Sequence, residues 1–431
     1  MSETHQGALD ESRELAFYTN HLKTELLPFW LAHAIDEEYG AFYTCFNNEG
    51  TKLLSQDKFT WSQGRFVWVW SKLAGMDIFD AAERRRFTAL AGSGAQFLMK
   101  HCLLPNGNCA FLMSRDGTHK QQAPGMPLDS SIYADCFVVL GLARYASVSG
   151  ERAPAEFALR LYRSIAQRMA AGVFNSEPYP APAGYRQHGI PMIMLNTAQE
   201  MAAGLAALGM AEATAVQDAA DDYMRQTLAY VDANDQQREY VKANGTFDDE
   251  MLLGRHINPG HTIEDMWFVM HQVRWRKDKA SQQTIDRAAR IARRAFTVGW
   301  DAELGGLLHF CDKDGGEPRG NTAGMEKERV VQQVLAGWGD KLWWVHSEAL
   351  YTMLLAHHLT GDESFIPLYR QAADFTFRTF PNPDRSVGEW IQIRDRTGKP
   401  QQKLVALPVK DPFHILRNVA LIIDLLREQS K

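Results

Sequence analysis

Apolar positions recur at three- and four-residue spacing through most of the chain. The pattern is clearest in "ELAFYTNHLKTELLPFWLAHA", "GRFVWVWSKLAG", "IYADCFVVLGLARYA", "AAGLAALGMAEA", "EALYTMLLAHHLTG" and "ILRNVALIIDLLREQ". That spacing places one apolar stripe on each segment and predicts amphipathic helices. Between them stand shorter segments of a second kind, "GAFYTCFNNEG", "NCAFLMSRDGT", "GGLLHFCDKDGG" and "GEWIQIRDRTGK", in which a period-two aromatic run ends in Asn or Asp with Gly. Each predicts a small β-hairpin.

Helix starts rich in polar and aromatic residues recur near Trp61, Ser131, Met192, Pro259, Trp343 and Pro412, at intervals of 70, 61, 67, 84 and 69 residues. Each interval holds two helices and a connection, which describes helix pairs in a closed ring or an open solenoid. Six pairs favour a closed all-α toroid whose inner helices all start at one end, around a shared cavity. No Gly/Ser linker or charge block divides the chain. The Pro-rich stretch 175–191 reads as a surface loop near the cavity, because an apolar helix follows at once. One domain over residues 1–431 is expected, with residues 1–14 a flexible terminus.

Composition agrees with this reading. A chain of 431 residues exceeds the size of a usual single core, about 250–300 residues, so it needs several domains or one large repetitive architecture. Forty-six basic against fifty-two acidic residues argue against nucleic acid or an anionic membrane as an electrostatic partner. A small, near-neutral ligand is the expectation. The start "MSETHQGALDESRE" has no basic-then-apolar leader pattern and no apolar run approaches a membrane span, so a soluble, cytoplasmic protein is expected. The five cysteines form no CxxC pair and are expected to be reduced packing residues.

Gathered at one end of a toroid, the six starts supply Arg65, Asn196, His261, Glu264, His346, Glu348, His414 and Arg417, ringed by Trp61, Trp343 and Trp344. Aromatic faces for C–H surfaces and carboxylates, amide and Arg for hydroxyls suit a sugar. His261 and His414 suit proton transfer, since an imidazole both takes and gives a proton near neutrality, and two on opposite faces of one carbon would invert it. Each alone is equally a satisfied polar group at a helix end. Arg65 suits a developing oxyanion or, alternatively, an interhelix ion pair. In "NPGHTIEDMW", Pro259 and Gly260 make a turn, and Thr262 with Asp265 fits a helix cap that aims His261. His261 with Glu264 at i and i+3 is half of a metal site, but no second half occurs, so no metal is expected. Asp135 with Glu264 or Glu348 keeps an inverting hydrolase open. No phosphate-cradling glycine loop is present.

The motifs "WSQGRFVW", "NPGHTIEDMWFVM", "KLWWVHSEAL", "FTFRTFPNPDRSVGEW" and "PFHILRN", in this order, resemble the N-acylglucosamine 2-epimerase family, known also through renin-binding proteins and related sugar isomerases. The resemblance implies an (α/α)6 barrel. It also implies an isomerase that removes the C2 proton of an open-chain sugar, forms a cis-enediolate and returns the proton to the opposite face. It places the essential arginine on Arg65, the catalytic histidines on His261 and His414, and a glutamate on Glu348, with Glu264 supporting His261. Trp61, Asn196, His346, Trp343, Trp344 and Arg417 are expected to bind substrate. "PMIMLN", with Asn196, resembles the acetamido-sugar branch; Gln199 and "VKDPFH" depart from it. The expected reaction interconverts N-acetylglucosamine and N-acetylmannosamine. The alternative is an aldose–ketose isomerase or 2-epimerase of free mannose- or glucose-type sugars. A sugar-binding or protein-interaction toroid with dead chemistry is a third reading, against which the intact histidines stand. No cofactor is expected. A nucleotide modulator and a homodimer are suggested by the family alone, with no feature here to support either.

Overall fold

The computed structural model describes residues 9–276 and 281–429. Helix α1 (Glu11–His21) runs through a π-turn (Leu22–Leu26) into α2 (Leu27–His33). Three helical hairpins follow: α3 (Thr60–Ala74) with α4 (Ala81–His101), α5 (Ile132–Ser149) with α6 (Arg152–Ala171), and α7 (Gly189–Ala207) with α8 (Ala213–Leu228). The short α9 (Leu252–Arg255) precedes a fourth, α10 (Pro259–Arg276) with α11 (Ser281–Gly299). The short α12 (Arg329–Gly337) precedes a fifth, α13 (Trp343–Thr360) with α14 (Phe365–Thr379). The last helix, α15 (Phe413–Gln429), packs on α1, so the sixth pair comes from the two ends of the described chain.

Residue patterning decides which helix lies inside. In α13 every residue from Trp343 to Ala356 is buried, as an inner helix touched on all sides requires. In α11 burial follows one stripe, Ile285, Ala288, Ala289, Ala292, Ala295 and Phe296, as an outer helix requires. The inner helices form a ring in which α3 packs on α5, α5 on α7, α7 on α10, α10 on α13, α13 on α15 and α15 back on α3. This is the (α/α)6 barrel. The α3–α5 contact is unusually close: a Cβ on Gly64 would stand 2.2 Å from the carbonyl oxygen of Phe137, and one on Gly141 2.4 Å from that of Gly64. One apolar core runs from Tyr18 to Leu426, and all five cysteines are buried free thiols.

Short strands tie the helix starts together at the cavity end. Strand β1 (Lys58–Phe59) pairs with β2 (Leu112–Met113), which pairs with β3 (His119–Lys120) in the local hairpin that "NCAFLMSRDGT" predicts. Three further pairs are β4 (Tyr185–Gln187) with β5 (Tyr240–Lys242), β6 (His256–Ile257) with β7 (Cys311–Asp312), and β8 (Lys341–Leu342) with β9 (Ile393–Arg394). These correct the hairpin expectation. The strands of "GGLLHFCDKDGG" and "GEWIQIRDRTGK" pair backward across a helical hairpin, and "GAFYTCFNNEG" makes isolated bridges such as Ile35 to Phe42. The reason is topological: the residue before an inner helix and the residue after its outer partner end at the same rim, where each satisfies the other's backbone.

Buried ion pairs pin the same rim. Lys58 meets Asp36 at 2.9 Å, Lys341 meets Asp301 at 3.0 Å and Lys410 meets Glu389 at 2.6 Å, in each case a cation just before an inner helix and an anion just after an outer one. Of the terminal stretch 1–14, residues 1–8 lie outside the described residues, whereas Glu11 to Glu14 already form the first turn of α1, capped by Asp10. The Pro-rich stretch contributes Ser176, Pro178, Tyr179, Gln187 and Gly189 to the cavity wall.

Candidate active site

A cavity of about 210 Å³ opens between the starts of all six inner helices. Its wall includes Trp61 and Arg65 on α3, Tyr133 on α5, Asn196 on α7, His261 and Glu264 on α10, Trp343 and Trp344 on α13, and Asp411, His414 and Arg417 at the start of α15.

His261 reaches the cavity because α10 begins two residues earlier, at Pro259. Asn258 accepts a hydrogen bond from the His261 backbone N–H at 3.2 Å, and Pro259 and Gly260 supply the first turn. The cap is therefore Asn258, not Thr262 with Asp265: Thr262 lies inside the helix, and Asp265 accepts instead from His188, Thr227 and Gln237. A Cβ on Gly260 would stand 2.4 Å from the Trp344 ring, so glycine there lets Trp344 lie beside His261, ring centroids 5.3 Å apart. The Nδ1 of His261 lies 3.1 Å from both carboxylate oxygens of Glu239. This assigns the proton to Nδ1 and turns Nε2 to the cavity. Burial disfavours the imidazolium, but the charge and hydrogen bonds of Glu239 outweigh it and raise its pKa.

Glu239 carries no motif that marks it in the sequence. It immediately precedes β5 at the end of a loop after α8, and β4–β5 pairing brings it beside His188, whose backbone N–H donates to the Glu239 carbonyl at 2.9 Å. His188 itself is buried, with Nε2 3.1 Å from Asp265 and Nδ1 3.8 Å from Glu239. Burial works against its charge, yet Asp265 and Glu239 raise its pKa to about 9.

On the other wall His414 is wired in the same sense. Its Nδ1 donates to Glu348 at 2.8 Å, and its Nε2 accepts from Arg65 at 3.3 Å. Asp411 caps the start of α15 by accepting from the His414 backbone N–H, and holds Arg65 at 3.0 Å and the Trp343 indole N–H at 3.1 Å. The Arg65 guanidinium also lies over Phe137 at 4.2 Å, Trp61 at 5.0 Å and Phe413 at 5.1 Å, an aromatic cage that fixes its plane. Below His414, Arg417 donates to Glu348 at 2.5 Å and to Glu264, and Trp267 donates to the other Glu348 oxygen at 2.8 Å. Burial opposes ionisation of Glu348, but Arg417 and His414 hold its carboxyl below the usual range.

Several expectations change. Glu264 is not the partner of His261: one turn deeper in α10, it meets Arg417 and lies 3.9 Å from His414. His346 lies outside the cavity, fully buried, donating from Nδ1 to the Leu342 carbonyl at 2.7 Å and accepting at Nε2 from Leu307 N–H at 2.9 Å. Glu348 is also fully buried and acts through His414 and Arg417. Asp135 is held by Arg168 at 2.6 Å away from the cavity wall, so the paired-acid hydrolase arrangement lacks one acid. Asn196 and the three tryptophans stand on the wall. Unforeseen wall residues include His256 and His309, both kept neutral by burial. Two groupings, His188 with Glu239 and His261, and Glu264 with Glu348 and His414, have the spacing of metal ligands, but the contacts described above already pair their donors. What the arrangement supplies is two oriented imidazoles, each backed by a glutamate, with the caged Arg65 on Nε2 of His414. Such a set can take a proton from carbon next to a carbonyl and stabilise the oxyanion that results.

Comparison with known proteins points the same way. The family model described as N-acylglucosamine 2-epimerase (GlcNAc 2-epimerase) matches residues 40–417. N-acylglucosamine 2-epimerase of Bos taurus is 29% identical over 96% of this chain and 93% of its own, and that of Homo sapiens is 29% identical over 93% and 87%. Among solved structures, a sugar epimerase from a ruminal bacterium superposes with a TM-score of 0.73 at 18% identity, covering 95% of this chain and 98% of that one.

Proposed function

We propose that this chain, which belongs to the N-acylglucosamine 2-epimerase family, is an isomerase that inverts C2 of an N-acylated hexosamine, interconverting N-acetylglucosamine and N-acetylmannosamine. The observation that carries this reading is the paired wiring of His261 and His414 on separate inner helices of one cavity wall, each with Nδ1 on a glutamate, and with Nε2 of His414 on Arg65. In the open-chain sugar, one Nε2 takes the C2 proton. The C2–H electron pair becomes the C1–C2 double bond of an enolate that keeps the acylamino group on C2, and negative charge develops on O1, where Arg65 stands ready to stabilise it. The other imidazole, protonated, returns a proton to the opposite face of C2. The two histidines exchange charge states in each turnover and reset by proton exchange with solvent. These groups supply every proton the scheme needs, so it calls for no metal or organic cofactor.

Incubation with N-acetylmannosamine in deuterium oxide tests the reading: deuterium enters at C2 and N-acetylglucosamine accumulates. Fructose from mannose, or a free aldose epimerised faster than the acetamido sugar, would establish the free-sugar chemistry instead. Absence of exchange with any aldose would sink both.

A further inference from the structure

We infer that His261 is the cavity end of a buried four-residue relay, Asp265 to His188 to Glu239 to His261, and that Glu239, His188 and Asp265 are positioning residues serving this one histidine and not His414. The inference rests on the two-histidine reading above.

The relay is buried, with hydrogen-bond distances at its two ends and an ion-pair contact at its centre. Asp265 is fully buried and holds His188 at 3.1 Å; His188 lies 3.8 Å from Glu239; Glu239 faces His261 with both oxygens at 3.1 Å. Asp265 is itself fixed by Thr227 at 2.8 Å and Gln237 at 2.7 Å. Among the described contacts, the side chain of Glu239 has His261 and His188 as its polar partners, so its buried charge depends on the imidazole behind it. Counted along the chain, two carboxylates stand against two imidazoles, and charge balances when both are protonated. Among the described residues, the titratable groups that act most strongly on His261 from neighbouring elements are Glu239, His188 and Glu264, with the buried neutral His256 and His309 beyond. None is an arginine or a lysine. His414, by contrast, has Arg65 and Arg417 each at 3.3 Å. The two histidines are therefore alike in tautomer and unlike in surroundings, and the relay readies His261 to carry a proton.

A two-base epimerase separates the roles. One epimer presents its C2 hydrogen to His414 and the other to His261, so exchange with solvent measured from each sugar reads one histidine at a time. In Glu239→Gln the amide still accepts from Nδ1–H but carries no charge. Epimerisation should fall about 10²-fold in both directions, as the fixed equilibrium constant requires, and exchange from one of the two epimers should fall with it, while exchange from the other stays near the unmodified rate. His188→Gln should show the same asymmetry, and adding it to Glu239→Gln should cost little more, because it acts through Glu239. Equal loss of exchange from both epimers, no loss at all, or fully additive effects would overturn the relay. Titration of His261 by NMR needs no turnover: it should lie above the ordinary imidazole value and fall in Glu239→Gln. If the unmodified protein exchanges neither sugar yet His261 shifts as expected, the substrate reading fails and the relay stands. If His261 does not shift, the relay fails whatever the sugars do.

Discussion

Glu348→Gln is nearly isosteric, yet it should be among the costlier single substitutions in the barrel. Glu348 is fully buried and accepts three donors: His414 at 2.8 Å and Arg417 at 2.5 Å on one oxygen, and Trp267 at 2.8 Å on the other. Replacing a charged acceptor by a neutral one costs about 1 kcal/mol per hydrogen bond, so about 3 kcal/mol for three. An amide has one acceptor oxygen, so its NH2 must face either Trp267 or the His414 and Arg417 pair, which adds about 1–2 kcal/mol for an unsatisfied donor. The sum, about 4–5 kcal/mol, agrees with the roughly 3–5 kcal/mol for breaking a buried charge pair. Unfolding entropy of about 2.1 cal/mol/K per residue over 431 residues is about 0.9 kcal/mol/K, so the melting temperature should fall by about 5 °C. Scanning calorimetry at pH 7 reads this directly. Because the native carboxyl is held below its ordinary value, its stabilisation is fully present above the unfolded value of about 4.3 and lost as pH falls beneath it. The gap between the two proteins should therefore narrow in acid. With Nδ1 of His414 no longer held by a charge, kcat should fall about 10²-fold with little change in KM. A melting temperature within a degree of the parent, or a gap that widens in acid, would refute the reasoning.

Two further predictions concern the frame of the site. Gly64→Ala would push a methyl group to 2.2 Å from the Phe137 carbonyl oxygen, where backbone must move, and should cost about 3 kcal/mol, seen as a melting temperature about 3 °C lower; an unchanged melting temperature would show that α3 and α5 can part freely. His188, buried and raised from 6.5 to about 9, contributes about 3 kcal/mol that is complete below pH 6.5 and lost as pH rises through about 9. Urea unfolding at pH 6.5 and 9.5 should show that loss in the parent and not in His188→Gln; equal loss in both would assign it elsewhere.

The barrel was legible because its repeat is written in hydrophobic period and in six polar-aromatic helix starts. His261, His414 and Arg65 stood out because each lies within a turn of such a start. His346 shows what finer reading would have caught: it is two residues from Glu348, and positions i and i+2 on a helix face apart, so the two could not share one cavity wall. Glu264 shows the limit of proximity in sequence, since one helical turn carries it past His261 to Arg417. Glu239 and His188 had no sequence signal, and Asp265 had only that of a helix cap. Their meeting depends on three-residue strands, β4 and β5, that join segments some fifty residues apart, and pairing of that kind leaves no pattern within either segment. The hairpin expectation held for "NCAFLMSRDGT" and failed elsewhere for the same reason: alternation identifies a strand without naming its partner.

Closure of the ring by α1 and α15 sets the order of assembly. The two helices are separated by roughly 400 residues of chain, so their contact is far less local than any within the five hairpins, and closing it in an otherwise unfolded chain would cost about 5 kcal/mol of loop entropy. Five hairpins can stack as local contacts form; the sixth waits for both ends. His414 and Arg417 ride on α15, so the half of the site that carries them is the last to be put in place. A partly folded chain then holds one oriented imidazole at most and is inert toward sugar. Activity would appear only when the circle is complete, making turnover itself a reporter of correct folding.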